Sequence, residues 1–290
     1  MKSDAIRLGK VEYLNTIPVY YAWEKGLVHC NGVRVEVVSG TPSTLNRMLS
    51  QGELDVSVVS SVEYAVHHRN YLLLPDLCIG AVREVKSVLF LSRVPLEKLD
   101  GSDVWITKSS LTSSTLVRFI LEKDLGISPR YRLFKLGEKK ECSPDAMLLI
   151  GDEALRERKA NRYPYVVDLA QYWYEKHGLP FVFAVWCVRN EVWQDRPTEV
   201  RQLCRTLLDS RDMGNSLLEE ISQNHHDQAD LSEEECLEYL RGLSFNLTPK
   251  HVEGMRLFFK LLTQRNLVPE EPRVRFVEVE GGQGTQDGHR

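Results

Sequence analysis

Several short stretches of the chain carry polar groups whose type and spacing suit the binding or transformation of a small anion. "VEYLNTIPVYY" sets an amide, Asn15, and a hydroxyl, Thr16, just ahead of Pro18, a residue that favours the first turn of a helix. "KSSLTSST", residues 108–115, brings together Ser109, Ser110, Thr112, Ser113, Ser114 and Thr115. One hydroxyl is enough to cap a helix, so this cluster exceeds the structural need. A helix start rich in free N–H groups and hydroxyls is a ready carboxylate or phosphate site, because backbone donors and helix dipole both favour negative charge. "TPSTLNR" at 41–47 echoes "TSSTLVR" at 112–118, and each opens a helix. If two lobes face each other, two such starts border one cleft. The competing account is that Ser and Thr cap helices everywhere, with nothing bound.

For Asn15 the local sequence leaves two readings open. Ligands of open α/β sheets sit beyond the carboxyl ends of the strands, where Asn15 and Thr16 fall. Alternatively, Asn15 makes an Asx-turn and caps the helix that follows. Metal chemistry is not expected. Cys30, Cys78, Cys142, Cys187, Cys204 and Cys236 are scattered singly, without a CxxC pair. Glu63 and His67 share a helical face with no third ligand in sequence, and the pairs His67-His68 and His225-His226 add none.

The elements that must position these groups alternate. Strands are predicted at 11–14 (the first strand starting by Ile6), 33–38, 54–59, 87–92, 104–107, 131–134, 146–150 and 179–189. Helices are predicted at 43–50, 62–69, 113–125, from Asp152, and from Asp168 to Gly178. The βαβα rhythm predicts an α/β fold with a mainly parallel sheet. It restarts after the Pro- and Gly-containing stretch 94–101. The apolar strands 87–92 and 179–189 flank this second unit, as if the chain crosses into a second lobe and returns. The expected division is 1–91 with 181–280 as a discontinuous first lobe, 92–180 as the second, and 281–290 as a disordered tail. Beyond residue 196 the pattern is helical, with a capping box at Ser232–Glu235 and a Thr248-Pro249 helix start; a last strand is expected at 274–279.

Composition narrows the partners. With 290 residues and 42% hydrophobic content, the chain is long enough for two modest cores. A net charge of −4, from 37 basic and 41 acidic residues interspersed, offers no field for nucleic acid. No apolar run reaches the roughly 18 residues of a membrane span, and Met1-Lys2-Ser3-Asp4 leads straight into a strand without a signal-type apolar region. A soluble, cytoplasmic protein is expected, with no nucleic-acid or membrane partner.

Taken in order, "RLGKVEYLNTIPVYY", "GELDVSVVSSVEYA", "LTSSTLVRFIL", "LLIGDEAL" and "GLPFVFAVW" resemble the chorismate dehydratase family of the futalosine route to menaquinone. The resemblance spans about residues 6 to 265. It implies a type II periplasmic-binding-protein-like fold, two α/β lobes joined by two hinge strands (87–92 and 181–188) with a ligand cleft between them. It further implies chorismate as substrate, loss of water to give 3-[(1-carboxyvinyl)oxy]benzoate, no cofactor, and Asn15 as the catalytic-site amide. Thr16, Thr41, Ser60, Ser87, Ser110, Thr112, Ser113 and Asp152 are the candidate substrate-binding residues, Asp152 being a helix cap or a pocket wall. None of the matched motifs supplies a well-placed general base, so the substrate's own enolpyruvyl carboxylate is the expected proton acceptor. A solute receptor for a small carboxylate shares such a fold and is the competing class. A ligand-sensing regulator would need a DNA-binding segment ahead of the first strand, and the sequence leaves no room for one before Ile6.

Overall fold

A computed structural model describes residues 4–134 and 144–279. The tail expected to be disordered, 281–290, lies outside the described residues, as does Cys142. In chain order the elements are β1 (Ile6–Lys10), α1 (Ile17–Glu24), β2 (Val35–Ser39), α2 (Pro42–Ser50), β3 (Val56–Ser60), α3 (Ser61–His67), β4 (Tyr71–Ala81), β5 (Val88–Ser92) and β6 (Asp103–Thr107). They continue with α4 (Leu111–Phe119), β7 (Arg130–Phe134), β8 (Ala146–Ile150), α5 (Gly151–Ala160), β9 (Tyr165–Asp168), α6 (Leu169–His177) and β10 (Phe181–Arg189). The helices α7 (Asn190–Asp195), α8 (Pro197–Ser216), α9 (Leu218–His225), α10 (Glu233–Gly242) and α11 (Pro249–Gln264) complete the chain.

The strands form two five-stranded mixed sheets among the described residues, ordered β2-β1-β3-β10-β4 and β7-β6-β8-β5-β9. In each sheet three strands run parallel to one another (β1, β2 and β3; β6, β7 and β8), and one reversed strand, β10 or β5, pairs antiparallel on both sides and links them to β4 or β9. The interior strands β3 and β8 are buried along their whole length. β8 is a continuous apolar run, as expected of a strand covered on both faces, whereas β3 encloses Ser57 and Ser60. The two-lobed α/β expectation therefore holds.

Several expected boundaries move. β1 ends at Lys10, and residues 14–16 form a single 3-10 turn that runs into α1, so the expected strand at 11–14 is a loop. Strand 88–92 pairs wholly with β8 and β9, and β10 wholly with β3 and β4. The change of sheet thus falls in the loops at 82–87 and 178–180, and not inside the strands expected to cross. The first loop is fixed by Asp168, whose carboxylate accepts from Val85 N at 3.1 Å and Lys86 N at 2.7 Å while also capping α6 through Ala170 N and Gln171 N. β4 has no counterpart among the predicted strands because Pro75 and Asp76 break its pattern; the positive φ of Asp76, 56°, and the missing proline N–H are tolerated at a sheet edge. Segment 274–279 contributes one bridge, Phe276 to Leu73, and no strand. The Ser232–Glu235 capping box forms as expected. At α11, Pro249 opens the helix, but the Thr248 hydroxyl bonds the His251 ring at 2.7 Å and caps no backbone group.

The loop that carries Asn15 is backed by α1, which packs closely on α8. At Gly214 a Cβ would stand 1.9 Å from the Pro18 carbonyl oxygen, so no larger side chain fits without moving the start of α1. Gly214→Ala is expected to lower stability by about 1–3 kcal/mol through overpacking. Thermal denaturation checks this, and an unchanged melting temperature would contradict so close an approach of α1 to α8.

Candidate functional site

A cleft with about 70 Å³ of free space lies between the two sheets. A single water needs roughly 10–15 Å³ by this measure, so there is room for a handful of waters, about the displacement of one small ring. The lining comes from strand ends and helix starts: Val11 after β1, Ser60 at the end of β3, Ile150 and Gly151 where β8 becomes α5, Pro42 in α2, and Ser110 and Ser113 at the start of α4. Asn15 and Thr16 add the turn before α1. Ile79, Val88 and Phe183 supply an apolar floor.

Among the described lining residues there is no Lys, Arg or His. Positive potential comes instead from the helix starts that converge on the cleft, α2, α4 and α5. Each is built by local sequence. Thr41 caps α2 by accepting from Thr44 N at 3.4 Å, and Ser110 caps α4 by accepting from Ser113 N at 3.2 Å. α5 has no side-chain cap, so its first-turn N–H groups are not shielded by a side-chain oxygen. Gly151 makes this start possible: it sits at φ +61° with the Tyr13 ring 3.3 Å from where a Cβ would be.

The structure brings Asn15, Thr16, Ser60, Ser110 and Ser113 to the cleft. The Thr16 hydroxyl, however, is spent on the backbone, donating to Val11 O at 2.6 Å and Tyr13 O at 2.9 Å, which closes the turn beneath Asn15. Ser60 caps α3 and accepts from the Asn46 amide at 3.2 Å. Ser110 donates to Ser113 Oγ at 2.9 Å, leaving the Ser113 hydroxyl proton free to turn toward a ligand.

Thr41, Ser87, Thr112 and Asp152 lie off the lining. Thr41 is exposed at its cap. Ser87 is fully buried behind Val88, with Tyr239 OH donating to its Oγ at 2.9 Å. Thr112 is also fully buried and joins the lobes, its Oγ1 accepting from Val62 N and bonding Ser61 Oγ, both at 3.1 Å. Asp152 neither caps its own helix nor faces the cleft. It reaches across to the first lobe, where Oδ1 accepts from Leu14 N at 3.2 Å and Oδ2 from the Gln228 amide at 2.8 Å. Burial pushes its pKa up, while the Gln228 and Leu14 donors partly offset that rise.

Sequence reasoning missed the contacts of Tyr13 with Gly151, of Gln228 with Asp152 and of Tyr239 with Ser87, which form only through the tertiary fold. Of the three aromatic residues Phe181, Phe183 and Trp186 of β10, Phe183 alone lines the cleft. Between Val182 and Ala184 the pairing with β4 slips by one residue, leaving Phe183 as the extra residue of a bulge. A bulge re-aims its side chain, whereas Phe181 packs on Trp173 and Phe258, and Trp186 donates to Tyr20 OH at 2.9 Å. Glu63 and His67 approach to 3.4 Å, and no group of metal-ligating side chains occurs among the described residues. Among these residues no helix is long and apolar enough to cross a membrane.

Two α/β lobes meeting over a small, mainly apolar, uncharged cleft define a fold of the periplasmic-binding-protein type. The alkanesulfonate-binding protein of Xanthomonas axonopodis pv. citri, solved with MOPS bound, shares this fold with a TM-score of 0.67 at 11% identity, covering 94% of this chain and 97% of its own. Within that fold the chain belongs to the menaquinone biosynthesis family, whose model matches residues 6–264. The chorismate dehydratase of Thermus thermophilus is 29% identical over 270 residues, 88% of this chain and 94% of the relative. That of Campylobacter jejuni is 31% identical over 185 residues, 63% of this chain and 68% of the relative.

Proposed function

We propose that this chain is a chorismate dehydratase, a hydro-lyase that acts in the cytoplasm on free chorismate without a cofactor. The observation that carries the reading is the conjunction of the dehydratase relatives with a cleft whose helix starts and hydroxyls suit carboxylates. A non-catalytic solute receptor is not favoured, because the family is biosynthetic.

In this reading the lobes hold the two carboxylates at the starts of α4 and α5, with Ser110 and Ser113 as hydroxyl partners, and the ring lies on Phe183. The C3–H bond breaks first, and its electrons pass through C2 and C1 into the ring carboxylate as an extended dienolate. Preorganised backbone dipoles at that carboxylate stabilise the growing charge. The electrons then return through the ring, expelling the C4 hydroxyl and leaving a benzoate. The C3 proton goes to the enolpyruvyl carboxylate and leaves with the hydroxyl as water, so the protein ends unchanged. Asn15 holds the departing hydroxyl. No lining side chain is a competent base, since Tyr13 is pushed up to about 12, mainly by burial, and stays protonated near neutrality. Thr112 and Asp152 fasten the lobes around the ligand, and closure keeps water from the acid arm.

Purified protein mixed with chorismate is expected to produce an ultraviolet spectrum of an alkoxybenzoate with equimolar loss of the diene. An unchanged spectrum alongside tight binding of the acid would replace the enzyme by a receptor.

A further inference from the structure

Asp168 ends β9 and caps α6, a task that needs a single acceptor oxygen. Its carboxylate does more. Oδ1 accepts from Ala170 N at 3.0 Å and Gln171 N at 3.2 Å, which caps the helix. Oδ2 accepts from Lys86 N at 2.7 Å and Val85 N at 3.1 Å, in the first connection between the lobes, and Val85 N also lies 3.2 Å from Oδ1. Serine or asparagine caps a helix as well, but only a carboxylate offers an acceptor on two oxygens. The loop so held is strained: Lys86 sits at φ +58°, a conformation that a residue with a Cβ adopts at a cost. Its conformation is passed directly to the cleft. The next residue, Ser87, accepts from Gly151 N at 2.7 Å through its carbonyl, and both Val88 and Gly151 line the cleft.

The second connection leaves the other end of the same helix. α6 has nine residues, a rod about 13 Å long, and closes on Gly178 at φ +67°, whose N–H bonds Tyr174 O at 2.7 Å. Leu179 and Pro180 then lead into β10, and Gly254 of α11 comes so close that a Cβ there would stand 2.2 Å from Pro180 O. We propose that Asp168 is a positioning residue that joins the two connections between the lobes into one hinge, fastening the strained loop 82–87 to the start of the helix whose end feeds the other connection. The kinetic consequence rests on the dehydratase reading, whereas the hinge does not. Without the carboxylate, Lys86 relaxes toward negative φ, and Val88 and Gly151 no longer hold their closed places. The fraction of molecules competent to bind then falls, which raises the apparent dissociation constant by the same factor. Substrate that has closed the lobes still reacts normally, so KM moves while kcat is kept.

Asp168→Ser tests this, because serine keeps the cap of α6 while its one short side chain gives up the loop. It is expected to raise KM for chorismate about 10-fold with kcat within about threefold of the wild type; loss of a helix cap alone would lower the melting temperature and leave KM in place. Glycine takes positive φ freely, so Lys86→Gly added to Asp168→Ser is expected to bring KM back to within about threefold of the wild type. The Lys86–Glu238 ion pair lost in that variant has its glutamate largely exposed and contributes little. A second readout needs no turnover: in Asp168→Ser the amides of Val85 and Lys86 are expected to exchange hydrogen about 10-fold faster or more, with Ala170 and Gln171 within about threefold. The near-isosteric Asp168→Asn repeats both measurements should the serine variant fail to fold. An unchanged KM, a raised KM that Lys86→Gly does not lower, or unaltered exchange at Val85 and Lys86 overturns the proposal. A wild-type protein that binds chorismate without converting it overturns only the dehydratase reading, and affinity from isothermal titration then takes the place of KM.

Discussion

Asn15→Ala is expected to lower kcat on chorismate by about 10²- to 10³-fold, the usual loss when one preorganised polar partner is removed from charge developing in a transition state. The cleft offers few substitutes. Thr16 is turned to the backbone, Ser60 is engaged by Asn46 and Glu63 N, and Ser87 is sealed behind Val88. Asn15 is half-buried, and its loop is held independently by Asp152 and Gln228, so the folded state should survive the truncation. Asn15→Asp discriminates further. It places a third negative charge beside a dianionic ligand, and two like charges about 4 Å apart repel by roughly 4 kcal/mol at an effective dielectric constant near 20. KM should therefore rise in the Asp variant and stay near wild type in the Ala variant. Steady-state rates from the growth of benzoate absorbance, with thermal melts as a control for folding, measure both. Normal turnover by Asn15→Ala would remove Asn15 from the chemistry.

Masking the enolpyruvyl carboxylate of chorismate as its methyl ester or amide is expected to reduce turnover by about 10²- to 10⁴-fold, the contribution of a positioned general base. The expectation follows from what the cleft contains. Its only titratable lining residue among those described is Tyr13, whose pKa near 12 keeps it protonated. The nearby carboxylate, Asp152, has its oxygens occupied by Leu14 N and Gln228 and points into the lobe contact. The base must then arrive with the substrate, folded over the ring where closure has stripped it of water. The ester should still bind through the ring carboxylate, and isothermal titration distinguishes lost binding from lost chemistry. Retained turnover of the ester would require a protein base and would redirect attention to Asp152.

Much of this could be read along the chain. The alternation of β-branched runs with capped helices predicts two α/β units, and the hydroxyl-rich starts at Thr41, Ser60 and Ser110 become caps at or beside the cleft. Caps are local objects, formed between residues three apart, so sequence spacing carries them. The order of motifs also places Asn15 past the first strand, although that strand ends at Lys10 and the amide rides on a 3-10 turn. Hydrophobic pattern alone cannot separate a short apolar run that pairs from one that bends away.

By itself, then, the sequence determines the layer architecture, the helix starts and the identity of the polar groups available to a ligand, because each depends on near neighbours in the chain. The tertiary structure decides which of those groups face the cleft. Ser87 and Ser110 are both candidate hydroxyls in the sequence, and only Ser110 lines it; Phe181 and Phe183 share a strand, and a one-residue slip against β4 sends only Phe183 there. Tyr239 lies 152 residues from the Ser87 hydroxyl it holds, a separation at which spacing carries no signal. Such contacts exist only once two lobes, built from interleaved stretches of chain, have packed against each other.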